Sequence, residues 1–332
     1  MPFHRAIRNP VLAFCFCLIA GGAGAQEPLP VRVKVFPGAQ NLPLYAGIAK
    51  GVFAKHNLKV DLQFTASSDE LRKGLAEGAF EIAHSAVDNA VHMVEAAQQD
   101  VIIVSGGDSS MNEFFVQPGI ASIAELRGRV VAVDAPNTAY ALLAKKILLN
   151  NGLKEGQDYT VRPVGGSAGR LKAVLKDKDL AAVVLNVPFS IIASQNGLRS
   201  LGRTVDLLGP YQAPGAFVMR NWAKANGPLL ERYLTAYVES LRWAMEPANR
   251  AESLAFLTER LKLAPDVAEK SYDAMREPKF GLATDARFDV EGFRNLLAIR
   301  AEMEGQWGGK PPAPGKYYDM SYYERALKTV GR

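Results

Sequence analysis

Polar and glycine-rich residues recur where strands hand over to helices. One stretch of the chain carries Gly38-Ala39-Gln40-Asn41, Thr65-Ala66-Ser67-Ser68 and His84-Ser85-Ala86-Val87-Asp88-Asn89. A second carries Asp134-Ala135-Pro136-Asn137-Thr138-Ala139-Tyr140, Gly165-Gly166-Ser167 and Asn186-Val187-Pro188-Phe189. Helix starts offer free N–H groups and a partial charge of about +0.5, which suits a small anionic or polar ligand. Ser67, Ser85, Asn137 and Ser167 are also good N-caps, a role worth about 1 kcal/mol each. Capping accounts for any one of them; their recurrence at matching junctions of two units points to a shared site.

Other chemistry is not assembled this way. His84, Asp88 and His92 are spaced by four, as metal ligands on a helix would be. His84 falls at a strand end before the expected cap Ser85, so the three do not share a face and no metal site is expected. Gly165-Gly166-Ser167-Ala168-Gly169 has neither the phosphate-loop nor the dinucleotide spacing, and no G-x-S-x-G elbow occurs. Nothing in the spacing brings Asp88, Asp108 and Asp134 together as an acid/base pair. No catalytic residue and no cofactor are therefore expected.

The elements that would position the junctions follow from periodicity. Val31-Arg32-Val33-Lys34-Val35-Phe36 alternates as a strand. Helix 43–55, strand 58–64, a helix opened by the capping box Ser67-x-x-Glu70, strand 80–83, helix 86–97 and strand 101–105 follow. The pattern restarts with strand 130–133, helix 138–150, strand 159–164, helix 167–176, strand 180–185 and helix 188–195. Strands alternating with helices imply parallel sheets covered on both faces. From Pro228 onward the chain reads as helices over 228–245, 251–261, 265–275 and 290–304, and must pack on sheets formed earlier. The stripe Tyr233, Tyr237, Leu241, Ala244 has helical spacing and reads as core.

Arg5 and Arg8, the apolar run 11–20 and Ala23-Gly24-Ala25 make residues 1–25 a secretory signal peptide, with Gln26 as the first mature residue. The apolar run of about 10 residues is short of the roughly 20 that span a bilayer. Of the chain's 332 residues, 39 are Lys or Arg, 34 are Asp or Glu, and Cys15 and Cys17 are its two cysteines. Processing removes two of the arginines and both cysteines, leaving 307 residues at a formal charge of +3. Such a chain excludes thiol catalysis and cysteine metal sites, and must hold itself by its core rather than by disulfides. The mild basic excess without a cluster argues against nucleic acid.

Leu42-Pro43-Leu44-Tyr45-Ala46-Gly47-Ile48-Ala49-Lys50-Gly51-Val52-Phe53 resembles the opening motif of the sulfonate/nitrate/taurine and thiamine-precursor (NMT1-like) binding proteins. The resemblance continues through Gly78-Ala79-Phe80-Glu81-Ile82-Ala83-His84 and Val130-Val131-Ala132-Val133-Asp134-Ala135-Pro136-Asn137-Thr138. Those proteins are periplasmic receptors of ATP-driven importers. The resemblance implies an α/β, two-lobed periplasmic binding protein fold of type II, each lobe a mostly parallel five-stranded sheet with flanking helices. It places residues 26–108 and 209–332 in the first lobe and 109–208 in the second. The crossings then fall near Gly106-Gly107-Asp108 and Gly209-Pro210-Tyr211.

Carried over by position, the cleft contacts would be Gln40, Asn41, Ser67, Ser85, Asp88, Asn137, Thr138, Ser167 and Asn186. Tyr45, Phe189 and Tyr211 are either stacking groups for a flat ligand or packing residues. The function implied is capture of a small organic molecule, aromatic or anionic, by a monomeric periplasmic receptor that passes it to the permease of an ABC importer. A junction set without an evident arginine clamp would hold an anion through N–H groups, whereas Asp88 would favour an amine or ring N–H. Two alternatives stay open: an enzyme on the same fold, of the pyrimidine-precursor synthase or menaquinone-pathway lyase type, and a sensor reporting to a membrane receptor.

Overall fold

The computed structural model describes residues 1–2 and 27–330. The signal peptide expected over 1–25 lies, but for its first two residues, outside the described residues. Ten strands among the described residues form two sheets. The first sheet contains β1 (Leu29–Val35), β2 (Leu58–Phe64), β3 (Ile82–Ala86), β4 (Val101–Ile103) and, from much later in the chain, β10 (Pro214–Met219), in the order β2-β1-β3-β10-β4. The second contains β5 (Asn112–Val116), β6 (Arg129–Val133), β7 (Tyr159–Pro163), β8 (Leu180–Asn186) and β9 (Arg199–Arg203), in the order β7-β6-β8-β5-β9. The two orders are the same pattern twice. In each sheet the strand that arrives from the other one, β10 or β5, runs antiparallel between its neighbours.

Eight of the helices frame the sheets and the space between them. They are α1 (Leu42–Ala49), α2 (Ser68–Ala76), α3 (Asp88–Glu95), α4 (Ala139–Asn150), α5 (Ser167–Lys176), α6 (Phe189–Gln195), α7 (Gly227–Met245) and α8 (Val290–Glu304). The alternation in β1 buries Val31, Val33 and Val35 against Tyr233, Leu234 and Val238 of α7. The stripe Tyr233, Tyr237, Leu241, Ala244 is buried throughout, so α7 covers one face of the first sheet. Helix α8 covers the other face with Phe293, Leu296 and Leu297, which meet Val101, Ile103 and Phe217. No helix among the described residues is long and apolar enough to cross a membrane.

Three strands escape the periodicity reading, each for a local reason. β5 starts polar, with Asn112-Glu113, and is too short to alternate visibly. β9 is the edge strand Arg199-Ser200-Leu201-Gly202-Arg203, whose polarity suits an edge that must not pair further. β10 opens with Pro214-Gly215, residues that punctuate turns. The boundary after His84 also differs from expectation. Ser85 and Ala86 finish β3, and α3 begins only at Asp88.

The chain passes between the sheets twice, and the two crossings lie side by side. Ala213 N of the second crossing donates to Asp108 O of the first, and a third stretch joins them where Gly106 N donates to Ala286 O and Ala283 N to Gly107 O. Backbone approaches so close that a Cβ at Gly106 would lie 2.2 Å from Arg287 O, and one at Gly107 2.7 Å from Pro214 O. Gly106→Ala should therefore cost about 1–3 kcal/mol by overpacking against backbone that cannot step aside. Gly119→Ala, where a Cβ meets open space, should be nearly neutral. Urea unfolding of both variants checks this; equal stability would refute the packing argument.

Candidate functional site

A cavity lies between the two sheets, at the carboxyl ends of β1, β3, β6 and β8. That is where open parallel sheets place their ligands. From the first-sheet side come Phe36, Pro37 and Gln40 after β1, Ser68 at the start of α2, and His84, Ser85 and Ala86 at the end of β3. The second side supplies Asp134 after β6, Thr138 and Tyr140 at the start of α4, Gly166, Ser167 and Arg170 around the first turn of α5, and Asn186 closing β8. The two sides touch. Ser68 Oγ donates to Asp134 Oδ2 at 2.7 Å, Gly166 N to Ala66 O at 3.1 Å, and Asn186 Nδ2 to Gln40 Oε1 at 3.3 Å.

Five of the residues proposed from sequence, Gln40, Ser85, Thr138, Ser167 and Asn186, line this cavity together. Asn41 stands behind them: its Nδ2 donates to Phe36 O at 2.7 Å, and it lines a smaller adjoining cavity. Ser67 is a true N-cap, accepting from Glu70 N at 3.1 Å, and leaves the wall to its neighbour Ser68. Asn137 sits in the turn before α4; it neither caps that helix nor lines the cavity, and Thr138 holds the cap position.

The aromatic candidates take the packing role instead of stacking on a ligand. Tyr45 and Tyr211 are buried in the core, where desolvation pushes the Tyr45 hydroxyl up to about 12. Phe189 packs beside Leu171, Val183 and Leu185 under the second sheet. Asp88 also faces away from the cavity. Its Oδ1 accepts from Arg300 Nη1 of α8 at 2.6 Å, with both side chains 1% exposed. One carboxylate oxygen is thus taken by an arginine 212 residues away and Asp88 lines no part of the cavity, so the inference of a ligand amine from Asp88 loses its support.

Ser85 and Ser167 do not cap, contrary to expectation. Ser85 belongs to β3 and accepts from Asn89 Nδ2 at 3.4 Å. Ser167 is already inside α5, whose N-cap is Gly166, and its Oγ accepts from Arg170 Nη2 at 2.7 Å. Among the described residues no side chain caps α4 or α5, and both helices begin at the cavity wall. Their first N–H groups and the positive ends of their dipoles thus face the cavity.

Arg170 is the residue that sequence reasoning passed over. It is 2% exposed and lines the cavity. Its Nε donates to Val184 O at 3.1 Å, Nη1 to Gly165 O at 3.1 Å and Nη2 to Ser167 Oγ. Every one of these partners is neutral. Burial pulls its pKa down from the usual value, and Asp134 opposes this from beyond ion-pair distance. Its guanidinium stands 5.9 Å from the Tyr140 ring. A buried arginine on the cavity wall, which the junction residues do not reveal, thus stands four residues into a helix, where an arginine ordinarily reads as solvent-facing charge.

His84 forms part of the floor and is neutral. Its Nε2 is 2.9 Å from Tyr233 OH, its ring 4.5 Å from that of Tyr237, and desolvation lowers its pKa to about 3. The buried stripe of α7 thus reaches the cleft. With the His84 nitrogen engaged by Tyr233 and Asp88 by Arg300, the histidine–aspartate spacing serves the core rather than a metal. Asp108 lines the adjoining cavity with His84, Asn41 and Tyr237; its Oδ1 accepts from Ser110 N at 2.8 Å, and desolvation raises its pKa to about 7.

These elements define a two-sheet α/β binding-protein fold with a cleft between the sheets. The chain belongs to the NMT1-like family, whose model matches residues 24–258. Among solved structures, a protein from Bordetella bronchiseptica RB50 is 20% identical with a TM-score of 0.77, over 90% of this chain and 97% of that one. The periplasmic nitrate-binding protein NrtA from Synechocystis PCC 6803 is 14% identical with a TM-score of 0.76, over 92% and 90%. The desulfurization enzyme DszB is 13% identical with a TM-score of 0.63, over 90% and 99%. At these identities the likeness is one of fold. No curated protein sequence matches significantly.

His84 and Asp108 give opposite pH dependences. The unfolded chain takes up a proton on His84 between pH 6.5 and about 3 that the fold refuses, so this term loses stability as pH falls. Half-buried His92, lowered to about 4, acts with the same sign. Asp108 keeps its proton in the fold up to about pH 7, so its term is full below the ordinary 3.8 and is lost as pH rises. Between pH 5.0 and 6.5, Asp108→Asn should gain stability with rising pH more steeply than wild type, and His84→Gln less steeply than wild type, because His92 still offsets Asp108 there. Each proton contributes about 1.4 kcal/mol per pH unit. Urea unfolding across that range reads both slopes; a His84→Gln slope as steep as that of Asp108→Asn would contradict the assignment.

Proposed function

We propose that this chain is an exported solute-binding receptor that captures a small organic anion between its two sheets and delivers it to the permease of an ABC importer. The observation that carries the reading is Arg170, a buried cation on the cavity wall whose hydrogen-bond partners are all neutral. Burying a charge is costly unless a counter-charge joins it. The uncapped starts of α4 and α5 add positive potential at the same wall, and a carboxylate or sulfonate would satisfy all three. Phe36, Pro37, Tyr140 and Pro214 give the ligand's body an apolar seat.

On this reading residues 26–108 and 209–332 form one lobe and 109–208 the other. Residues 1–25, with Arg5, Arg8 and the apolar run, serve as the export signal that brings a monomer to the periplasm. The nitrate specificity of NrtA, on the same fold, agrees with an anion at this place. The enzyme alternative rests on the fold that DszB shares and has a direct test, since a receptor returns its ligand unchanged.

A thermal-shift and calorimetric screen of carboxylates, sulfonates and nitrate should find at least one anion that raises the melting temperature by mass action. Arg170→Met should weaken that anion by about 10- to 100-fold, the worth of a charge-assisted hydrogen bond. A neutral isostere binding as tightly as the anion would sink the reading. Conversion of the bound compound during incubation would transfer the protein to the enzyme class.

A further inference from the structure

One polar atom of the cavity wall remains without a partner among the described residues. Asn186 closes β8 and is 8% exposed. Its Nδ2 reaches across to Gln40 Oε1, but its buried Oδ1 accepts nothing from those residues. A buried carbonyl left unsatisfied costs about 1–3 kcal/mol, and folded proteins seldom leave one so. Two hydroxyls of the same wall donate elsewhere: Thr138 Oγ1 to Ala135 O and Ser68 Oγ to Asp134 Oδ2.

We infer that Asn186 determines specificity, and that the bound solute is a hydroxy- or amino-substituted acid whose O–H or N–H is accepted by Asn186 Oδ1 while its anionic group meets Arg170. This rests on the anion-binding reading and deepens it. Arg170 and Asn186 line the same cavity, and Arg170 is anchored on the strand that Asn186 closes, through Nε to Val184 O. Asp134 lines it too and admits an ammonium.

The test is calorimetric titration of the full mature chain with acids paired by one group: butyrate against 4-hydroxybutyrate and 4-aminobutyrate, and benzoate against 4-hydroxybenzoate and 4-aminobenzoate. At least one substituted acid should bind about 10-fold or more tighter than its parent, because a site built to accept a hydrogen bond rejects the analogue lacking it. Asn186→Leu, its fold checked by circular dichroism, should erase that preference, so that substituted acid and parent bind this variant within about 3-fold of each other, since only the substituted acid had a hydrogen bond to Oδ1 to lose. The wild-type comparison stands even where the variant fails to fold.

Equal binding of parent and substituted acids, or a preference that survives Asn186→Leu, would overturn the inference and leave the anion-binding reading intact. Binding confined to donor-free anions such as nitrate or methanesulfonate would do the same. If none of these acids binds and Arg170→Met leaves every ligand of the broader screen unaffected, the anion-binding reading fails and takes this inference with it.

Discussion

The architecture depends on three stretches of backbone, 105–108, 213–215 and 283–287, lying against one another where the chain changes sheets. Gly106 and Gly107 meet Arg287 and Pro214, and Gly215 meets Ser105 O so closely that an added Cβ would stand 2.4 Å away. Side chains do not fit there, and hydrogen bonds such as Ala213 N to Asp108 O and Gly106 N to Ala286 O take their place. Because both crossings run through one point, each incoming strand, β5 or β10, enters its new sheet antiparallel between strands already oriented. The carboxyl ends of β1, β3, β6 and β8 are thereby turned toward a common space. The cavity follows from connectivity before any of its side chains is chosen.

The late helices do more than cover the sheets. Helix α7 carries Tyr233 and Tyr237 to the floor of the cleft, where they surround His84 and keep it neutral. Helix α8 places Arg300 against Asp88, the first residue of α3. Breaking a buried pair of this kind by removing one partner typically costs about 3–5 kcal/mol, because a lone charge is left inside. The pair pins the C-terminal third of the chain to the turn that presents Ser85, Ala86 and Asn89 to the cavity. Residues more than 200 positions away thus determine where the wall of the site stands.

Much of the fold was legible in the sequence. The valine alternation of β1, the capping box at Ser67 and the asparagine–glycine stop after α4 are local signals, and local signals survive without tertiary information. β5, β9 and β10 were not legible, since a short polar edge or a strand opening on Pro-Gly looks like a loop until its neighbours pair with it. At the site, the junction rule found the right places but not always the right residue. Ser67 caps while Ser68 faces the cavity, and Thr138 lines it where Asn137 does not. Asp88 was misread because its partner Arg300 is remote in sequence. Arg170 was missed because only the packing of α5 on β8 turns that helix position inward.

The contrast between the two buried arginines separates structure from function. Arg300 has a carboxylate at 2.6 Å, so its charge is cancelled within the fold and its burial is a matter of core assembly. Arg170 is as deeply buried yet is given only two carbonyls and a hydroxyl. Its neighbours raise rather than lower the local positive potential, because α4 and α5 start beside it without caps. A fold selected for stability alone would gain by capping those helices or by bringing Asp134 into contact with Arg170. Asp134 instead accepts from Ser68 on the opposite side of the cleft. Arg170 is thus left without an ion-pair partner at contact distance, and on the proposed reading that partner is the ligand's anionic group.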